Sequence, residues 1–251
     1  MTLLAVDGIA RSFGATVAVD GVSFGVAAGE RVAMIGPNGA GKTTCFNLIN
    51  GQIAPDRGRV AIDGRDTTGR SPRALQRLGV GRTFQISQVF ASLTVRENVQ
   101  AALVAGQGRA LSPWPPLRRR EAAAADRLLD QVGLAGEAER GAAALAYGDA
   151  KRLELAMVLG QGPRLLLMDE PTAGMGIDER HALMELVSGV VRGRGVGLLF
   201  TEHDMDVVFG HADRIVVLHR GRVIAAGTPA AVRADPAVRE VYLGAEAPPC
   251  A

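Results

Sequence analysis

The run "RVAMIGPNGAGKTTCFNLI", residues 31 to 49, constrains this chain more than any other stretch. A short apolar segment leads into a loop with glycines at 36, 39 and 41, and the loop leads through a lysine and two threonines into helical spacing. Gly36 to Thr43 match the pattern of glycine, four residues, then Gly-Lys-Thr, set between a predicted strand and a predicted helix. That order predicts a strand-loop-helix unit of an α/β fold with a mostly parallel sheet. The chemistry follows from the residue types. Gly36, Gly39 and Gly41 let the backbone curl with its N–H groups inward, and the helix start adds a favourable dipole. Lys42 is placed to neutralise the β and γ phosphates of a nucleotide, and the Thr43 hydroxyl to ligate magnesium. Pro37, Asn38, Ala40 and Thr44 complete the expected contact with the nucleotide. The competing reading is a glycine-rich turn carrying an incidental lysine.

The 251 residues suffice for one large α/β domain with a sizeable core. The 47% hydrophobic share comes mostly from Ala, Val and Leu. No apolar run approaches the ~18 residues of a membrane span. "MTLLAVDGIARSFG" breaks into polar and glycine residues too early for an export leader, so the chain is expected to stay in the compartment where it is made. Cys45 and Cys250 are too few and too ill-placed for a disulfide framework or a zinc site, which suits a reducing compartment. A net charge of +2 with both signs interspersed excludes the basic footprint that nucleic-acid binding demands. Of the 28 basic residues only Lys42 and Lys151 are lysines, so a lysine inside the glycine loop suggests that arginine will not serve there.

Along the chain, "LLAVDGIA", "TVAVDGVSFGV", "RVAMIG" and "GRVAIDGRD" read as strands separated by turns. They predict an N-terminal antiparallel β subdomain beside the strand-loop-helix unit. From about Ser92 to Gly160 the period becomes helical, in "LTVRENVQAALVAG", "RRREAAAADRLLDQVGL" and "DAKRLELAMVLG", which predicts a helical insertion over 92–160. Pro113, Pro115 and Pro116 forbid regular helix before Arg118, Arg119 and Arg120. Those arginines read as a solvated helix start, with lipid headgroups or a partner as the other reading. After Gly162 the chain alternates "RLLLMDE", a helix in "DERHALMELVSGVVRG" and "GVGLLFTEH", the pattern of buried parallel strands whose C-terminal ends carry chemistry. It closes with a hairpin in "RIVVLHRGRVIAAG", turned at Arg220-Gly221, and a short helical tail over 236–251.

"LLLMDE" supplies the other half of a magnesium-nucleotide site. Asp169 leaves a buried strand, where a carboxylate is costly without a cation to face, and a metal is the expected cation. Glu170 is placed to orient or deprotonate an attacking water. Two carboxylates merely ending a strand are the bland alternative. Gln85 in "RTFQ" and His203 in "FTEHD" each follow a strand-like segment, and both are expected on the sheet edge that holds the phosphates. A lone histidine there is otherwise a hydrogen-bonded structural residue.

In order the chain shows "GPNGAGKTT", "TFQ", "LAYGD", "LLLMDEPT" and "TEHD", which resembles the nucleotide-binding subunit of ATP-binding cassette transporters over nearly its whole length. The resemblance implies an ATPase that uses ATP and Mg2+. It implies that Phe13 stacks on adenine (in isolation Phe13 reads as core), that Gln85 reaches magnesium and reports to a membrane partner, and that His203 holds the γ phosphate. It also implies that Ala146, Tyr147, Gly148 and Asp149 cap the nucleotide of the opposite subunit in a head-to-tail dimer.

There the family normally carries Leu-Ser-Gly-Gly-Gln, so the serine hydroxyl is missing. "AGMG" at 173 to 176 likewise departs from the usual Ser-Ala-Leu-Asp. Both departures concern the half of a site that serves the partner, and they favour a heterodimer over a homodimer. "LAYG" with "DEPTAG" looks most like the larger ATPase of branched-chain amino acid importers. Transmembrane permeases are then the partners, a solute-binding protein an indirect one, and the inner face of the cell membrane the location. An importer of urea or short amides, a non-transport cassette protein and a non-hydrolysing binding subunit stay open as alternatives.

Overall fold

The structure is a computed structural model that describes residues 2–83, 89–106 and 121–243. Its strands are β1 (Thr2–Phe13), β2 (Thr16–Ala27), β3 (Arg31–Ile35), β4 (Arg57–Ile62), β5 (Arg65–Asp66), β6 (Val80–Thr83), β7 (Leu165–Asp169), β8 (Gly197–Thr201), β9 (Arg214–His219) and β10 (Arg222–Gly227). They form two sheets. An antiparallel sheet has the order β2-β1-β4-β5, and a six-stranded sheet has the order β10-β9-β3-β8-β7-β6. In the second sheet β9, β3, β8, β7 and β6 run parallel, and β10 alone is antiparallel, through the hairpin with β9. Arg220 and Gly221 both take positive φ in that hairpin turn, the geometry that matches the twist of its strands.

The helices are α1 (Lys42–Ile49), α2 (Pro72–Arg77), α3 (Val95–Gly106), α4 (Ala122–Gln131), α5 (Tyr147–Gly160), α6 (Ile177–Arg194), α7 (Met205–His211), α8 (Pro229–Ala234) and α9 (Pro236–Val238). The described part of the expected arginine-led helix begins at Ala122, and Arg118, Arg119 and Arg120 lie outside the described residues. Helix α7 went unforeseen because it is short. Asp204 builds its start by accepting hydrogen bonds from the N–H groups of Asp206 and Val207.

The period of two in β3 divides the core. Val32 and Met34 point to one face of the parallel sheet, Ala33 and Ile35 to the other, and each face has its own cluster. On one side Val32 and Met34 join Phe46 of α1 and the inward residues of β1, β2 and β4. On the other, Ala33 and Ile35 join Leu153, Leu155 and Leu159 of α5, Leu183 and Val187 of α6, and Val99 of α3. Each fully buried leucine or valine contributes roughly 1.5–3 kcal/mol of transfer free energy, so both faces of the sheet are fixed by burial alone. At the N-terminal edge, Arg31 pairs with Asp213 at 2.6 Å and donates to Ser188 Oγ at 2.9 Å, tying β3 to α6 and to the approach of β9. The opposite edge is left to the loops that carry the chemistry.

Candidate functional site

The loop between β3 and α1 wraps the C-terminal end of a central strand, where an α/β sheet ordinarily receives its ligand. Gly41 shows why a side chain is excluded there: its φ is +103°, and an added Cβ would lie 2.4 Å from the Ala18 carbonyl oxygen. The same packing presses β2 against the loop. Helix α1 starts at Gly41 with no side-chain cap, so its first N–H groups remain available to an anion. Lys42 is only 8% exposed, and its Nζ donates to the carbonyls of Gly36 at 2.6 Å and Pro37 at 3.3 Å. Burial holds its pKa below the usual lysine value, while the charges of Glu170 and Asp169 act in the opposite sense.

A cleft of about 330 Å³ opens over this loop. Its floor is the loop from Asn38 to Thr44, one wall is Thr16 to Ala18 of β2, and Glu170 and His203 stand opposite. The two sequence-separated halves therefore meet. Nothing in the sequence singled out Thr16, Val17 or Ala18, because their place depends on how the antiparallel sheet folds over the glycine loop.

The carboxylates are set by the parallel register of β7 and β8, which places Asp169 beside Thr201. The Thr201 hydroxyl donates to Asp169 Oδ1 at 2.7 Å and accepts from the Glu170 N–H at 3.1 Å. Glu170 takes φ +49° as the chain leaves the strand, and its Oε1 lies 2.7 Å from His203 Nε2. The cation that Asp169 faces in this structure belongs to the chain itself. Arg82 Nη2 is 3.6 Å from Asp169 Oδ2, and Arg82 Nη1 donates to Asn47 Oδ1 on α1 at 3.1 Å. Burial pushes the Arg82 guanidinium below its ordinary pKa, and Asp169 acts against that.

Behind Glu170 and His203 lies a third carboxylate, which sequence reasoning missed. Glu202 is 3% exposed and accepts from the Thr172 N–H at 2.8 Å, the Thr172 hydroxyl at 2.7 Å and the His203 N–H at 3.3 Å. Burial raises its pKa, and those hydrogen bonds oppose the rise. A parallel clamp lies alongside, where Arg180 donates to the Met175 carbonyl at 2.8 Å and to Asp204 Oδ2 at 2.6 Å. The loops after β7 and β8 are thus joined twice.

Phe13 is 49% exposed at the β1–β2 turn, with the Arg11 guanidinium 5.2 Å from its ring centroid. It is not core, and it does not line the cleft. Gln85 lies outside the described residues. Ala146 is the N-cap of α5, with Tyr147, Gly148 and Asp149 forming its first turn, and none of the four lines the cleft. Tyr147 is 48% exposed, and its ring lies against Gly174, whose added Cβ would sit 3.6 Å from it. Lys151 Nζ is 5.8 Å from the centre of the same ring. The altered turn at 145–149 and "AGMG" therefore meet, through Tyr147 and Gly174.

A glycine loop on α1, acidic residues ending the neighbouring parallel strand and a mostly parallel sheet define a P-loop nucleotide-binding protein. The description "ABC transporter" fits a family profile over residues 19–173, and a profile described as "Branched-chain amino acid ATP-binding cassette transporter" fits residues 222–248. The high-affinity branched-chain amino acid transport ATP-binding protein LivG of Salmonella typhimurium is 40% identical over 249 residues, covering 96% of this chain and 98% of LivG. BraF of Pseudomonas aeruginosa, of the same description, is 39% identical over 253 residues, covering 96% and 98%. The crystal structure of the ADP conformation of MJ1267, an ATP-binding cassette of an ABC transporter, superimposes with a TM-score of 0.86 at 32% identity, covering 97% of this chain and 99% of that one. The chain belongs to the ABC transporter family and is one of its ATP-hydrolysing cassettes.

Proposed function

We propose that this cassette powers the import of branched-chain amino acids, binding Mg-ATP in the cleft beside Lys42 and hydrolysing it with Glu170. The observation that carries the solute class is the near-complete alignment with LivG and BraF together with the matching C-terminal segment. The chain acts as one ATPase domain, with the helices of 92–160 as a subdomain and 236–251 as its tail.

The donor set suits magnesium. The Thr43 hydroxyl and the Asp169 carboxylate are hard oxygen ligands, the kind that ion prefers, and Gln85 is assigned as a further one. Bound Mg-ATP supplies the labile γ-phosphoryl bond and the compensating cation. The protein does the rest. The turn from Gly36 to Thr44 offers its N–H groups to the phosphates, and Lys42 is released from the Gly36 and Pro37 carbonyls to meet the β and γ oxygens. Glu170 orients the water and accepts its proton, and the His203 imidazole, freed from Glu170, holds the γ oxygens. Phe13, exposed at the β1–β2 turn, is assigned to the base.

Ala146, Tyr147, Gly148 and Asp149 face a second ATPase subunit's nucleotide, and the altered turn favours a non-identical partner. The transmembrane permeases dock beside Gln85 and α3, a solute-binding protein acts at one remove, and the chain sits on the cytoplasmic face of the membrane. Among the described residues no helix is long and apolar enough to cross a membrane.

Uptake of labelled leucine, isoleucine and valine should fall when the gene is deleted and return with the intact gene, but not with a Glu170→Gln copy. Undiminished branched-chain uptake alongside lost urea or amide uptake would overturn the solute class and leave the ATPase standing.

A further inference from the structure

Arg82 reaches Asp169 from the neighbouring parallel strand, far away in the sequence. Strand β6 is an edge strand added in parallel to β7, with Arg82 opposite Leu167. The side chain crosses the C-terminal edge of the sheet and is 10% exposed where it meets the carboxylate, itself 17% exposed. The contact is anchored at both ends. Asn47, which holds the other guanidinium nitrogen, lies one turn beyond Thr43 on α1, so Arg82 bridges the two elements that carry the assigned magnesium ligands Thr43 and Asp169. Thr201 meanwhile occupies Asp169 Oδ1.

The charges around the cleft have a direct consequence. Lys42 and Arg82 set two positive charges beside Asp169 and Glu170, with the Glu202 carboxylate buried behind Glu170. A pair of bare carboxylates would attract a divalent ion strongly, whereas here the Arg82 guanidinium stands against one of them. A guanidinium cannot step aside by losing its proton, and at a partly buried position its repulsion of a dication is only partly screened.

We infer that Arg82 is a positioning residue that holds Asp169 until the nucleotide arrives and opposes binding of the divalent cation until the nucleotide's phosphates add their negative charge. The inference rests on the assignment of Asp169 as a metal ligand. It concerns the order in which the site fills, and a merely structural role for Arg82 would not affect that order.

Mn2+ is the probe, with binding to the full chain followed by electron paramagnetic resonance with and without ADP. In the wild type, Mn2+ should bind weakly alone and much more tightly with ADP. Arg82→Gln should tighten nucleotide-free Mn2+ binding roughly tenfold, from the repulsion removed, and shrink the difference that ADP makes. Arg82→Lys, which keeps the charge, should stay close to the wild type. Unchanged or weaker nucleotide-free Mn2+ binding in Arg82→Gln overturns the inference. If the glutamine variant does not melt cooperatively, Arg82→Met, which fills the same buried space without charge, gives the same reading. Asp169→Asn is the separate control. If it leaves Mn2+-ADP affinity intact, the metal-ligand assignment fails; if it weakens that affinity while Arg82→Gln has no effect, only the role of Arg82 is lost.

Discussion

Replacing Thr201 by valine removes one hydroxyl from the centre of the site while keeping the side chain's shape. In the protein that hydroxyl donates to the ionised Asp169 at 2.7 Å and accepts from the Glu170 N–H at 3.1 Å, and the residue is 1% exposed. A hydrogen bond to a charged group contributes about 1.5–3 kcal/mol, and a buried methyl in place of the hydroxyl returns about 0.8 kcal/mol. The Glu170 N–H keeps the Thr201 carbonyl at 3.2 Å, so no donor is orphaned on that side. The net cost is therefore about 1–2 kcal/mol, which for a domain of this size lowers the melting midpoint by roughly 2–8 °C. Turnover should fall about tenfold, because Asp169 keeps Arg82 and loses its other anchor. Urea unfolding in chelator without nucleotide gives the first quantity, and steady-state ATPase of the assembled transporter the second. An unchanged midpoint together with wild-type turnover would refute the claim that Thr201 fixes the two carboxylates.

Lys42→Ala should abolish most ATP turnover and weaken nucleotide binding, measured together by calorimetry and phosphate release; unaltered turnover would remove Lys42 from the site. Glu170→Gln should bind ATP without cleaving it, so a larger species should accumulate in size exclusion with ATP and magnesium, with the partner ATPase supplied; its absence counts against a nucleotide shared between two chains. Ala146→Ser should leave this chain's own nucleotide affinity unchanged and alter turnover at the partner's site, whereas a shift confined to the isolated monomer contradicts the assignment in trans. Cys45 is buried and its thiol pKa is pushed up to about 12, so in a Cys250→Ser background the native protein at pH 8 should resist alkylation that the urea-unfolded protein undergoes at once. Since the unfolded thiol loses its proton near pH 9 and the native one does not, the unfolded state binds fewer protons above that pH and this group makes stability fall as pH rises; a rising urea midpoint after Cys45→Ala at high pH, relative to wild type, checks the sign.

The parts of the site legible in the sequence are those whose chemistry and position are both local. Gly36 to Thr44 announce a loop between a strand and a helix because each residue's role is set by neighbours a few positions away. Asp169, Glu170 and His203 were legible because polar residues closing continuous apolar runs mark the ends of buried strands. Arg82, Thr201 and Glu202 were not. Their roles arise from β6 lying beside β7 and β7 beside β8, from pairings between residues 30 to 87 positions apart that no periodicity encodes. Val17 was hidden for the same reason, since only the fold of the antiparallel sheet brings β2 to the cleft. Phe13 shows the opposite failure: an aromatic in an apolar alternating stretch reads as interior, yet the turn it occupies projects it outward.

Lys42 is 8% exposed and Lys151 only 5%, and they are the chain's only lysines. Every side-chain cation that meets solvent outright is consequently an arginine, whose delocalised charge is weakly hydrated and stays fixed across the whole physiological range. Side-chain acylation, enzymatic or chemical, thus finds no ready amine on the folded surface, and the first lysine such a reagent meets as the protein opens is one that lies in the glycine loop of the cleft or against the Tyr147 ring.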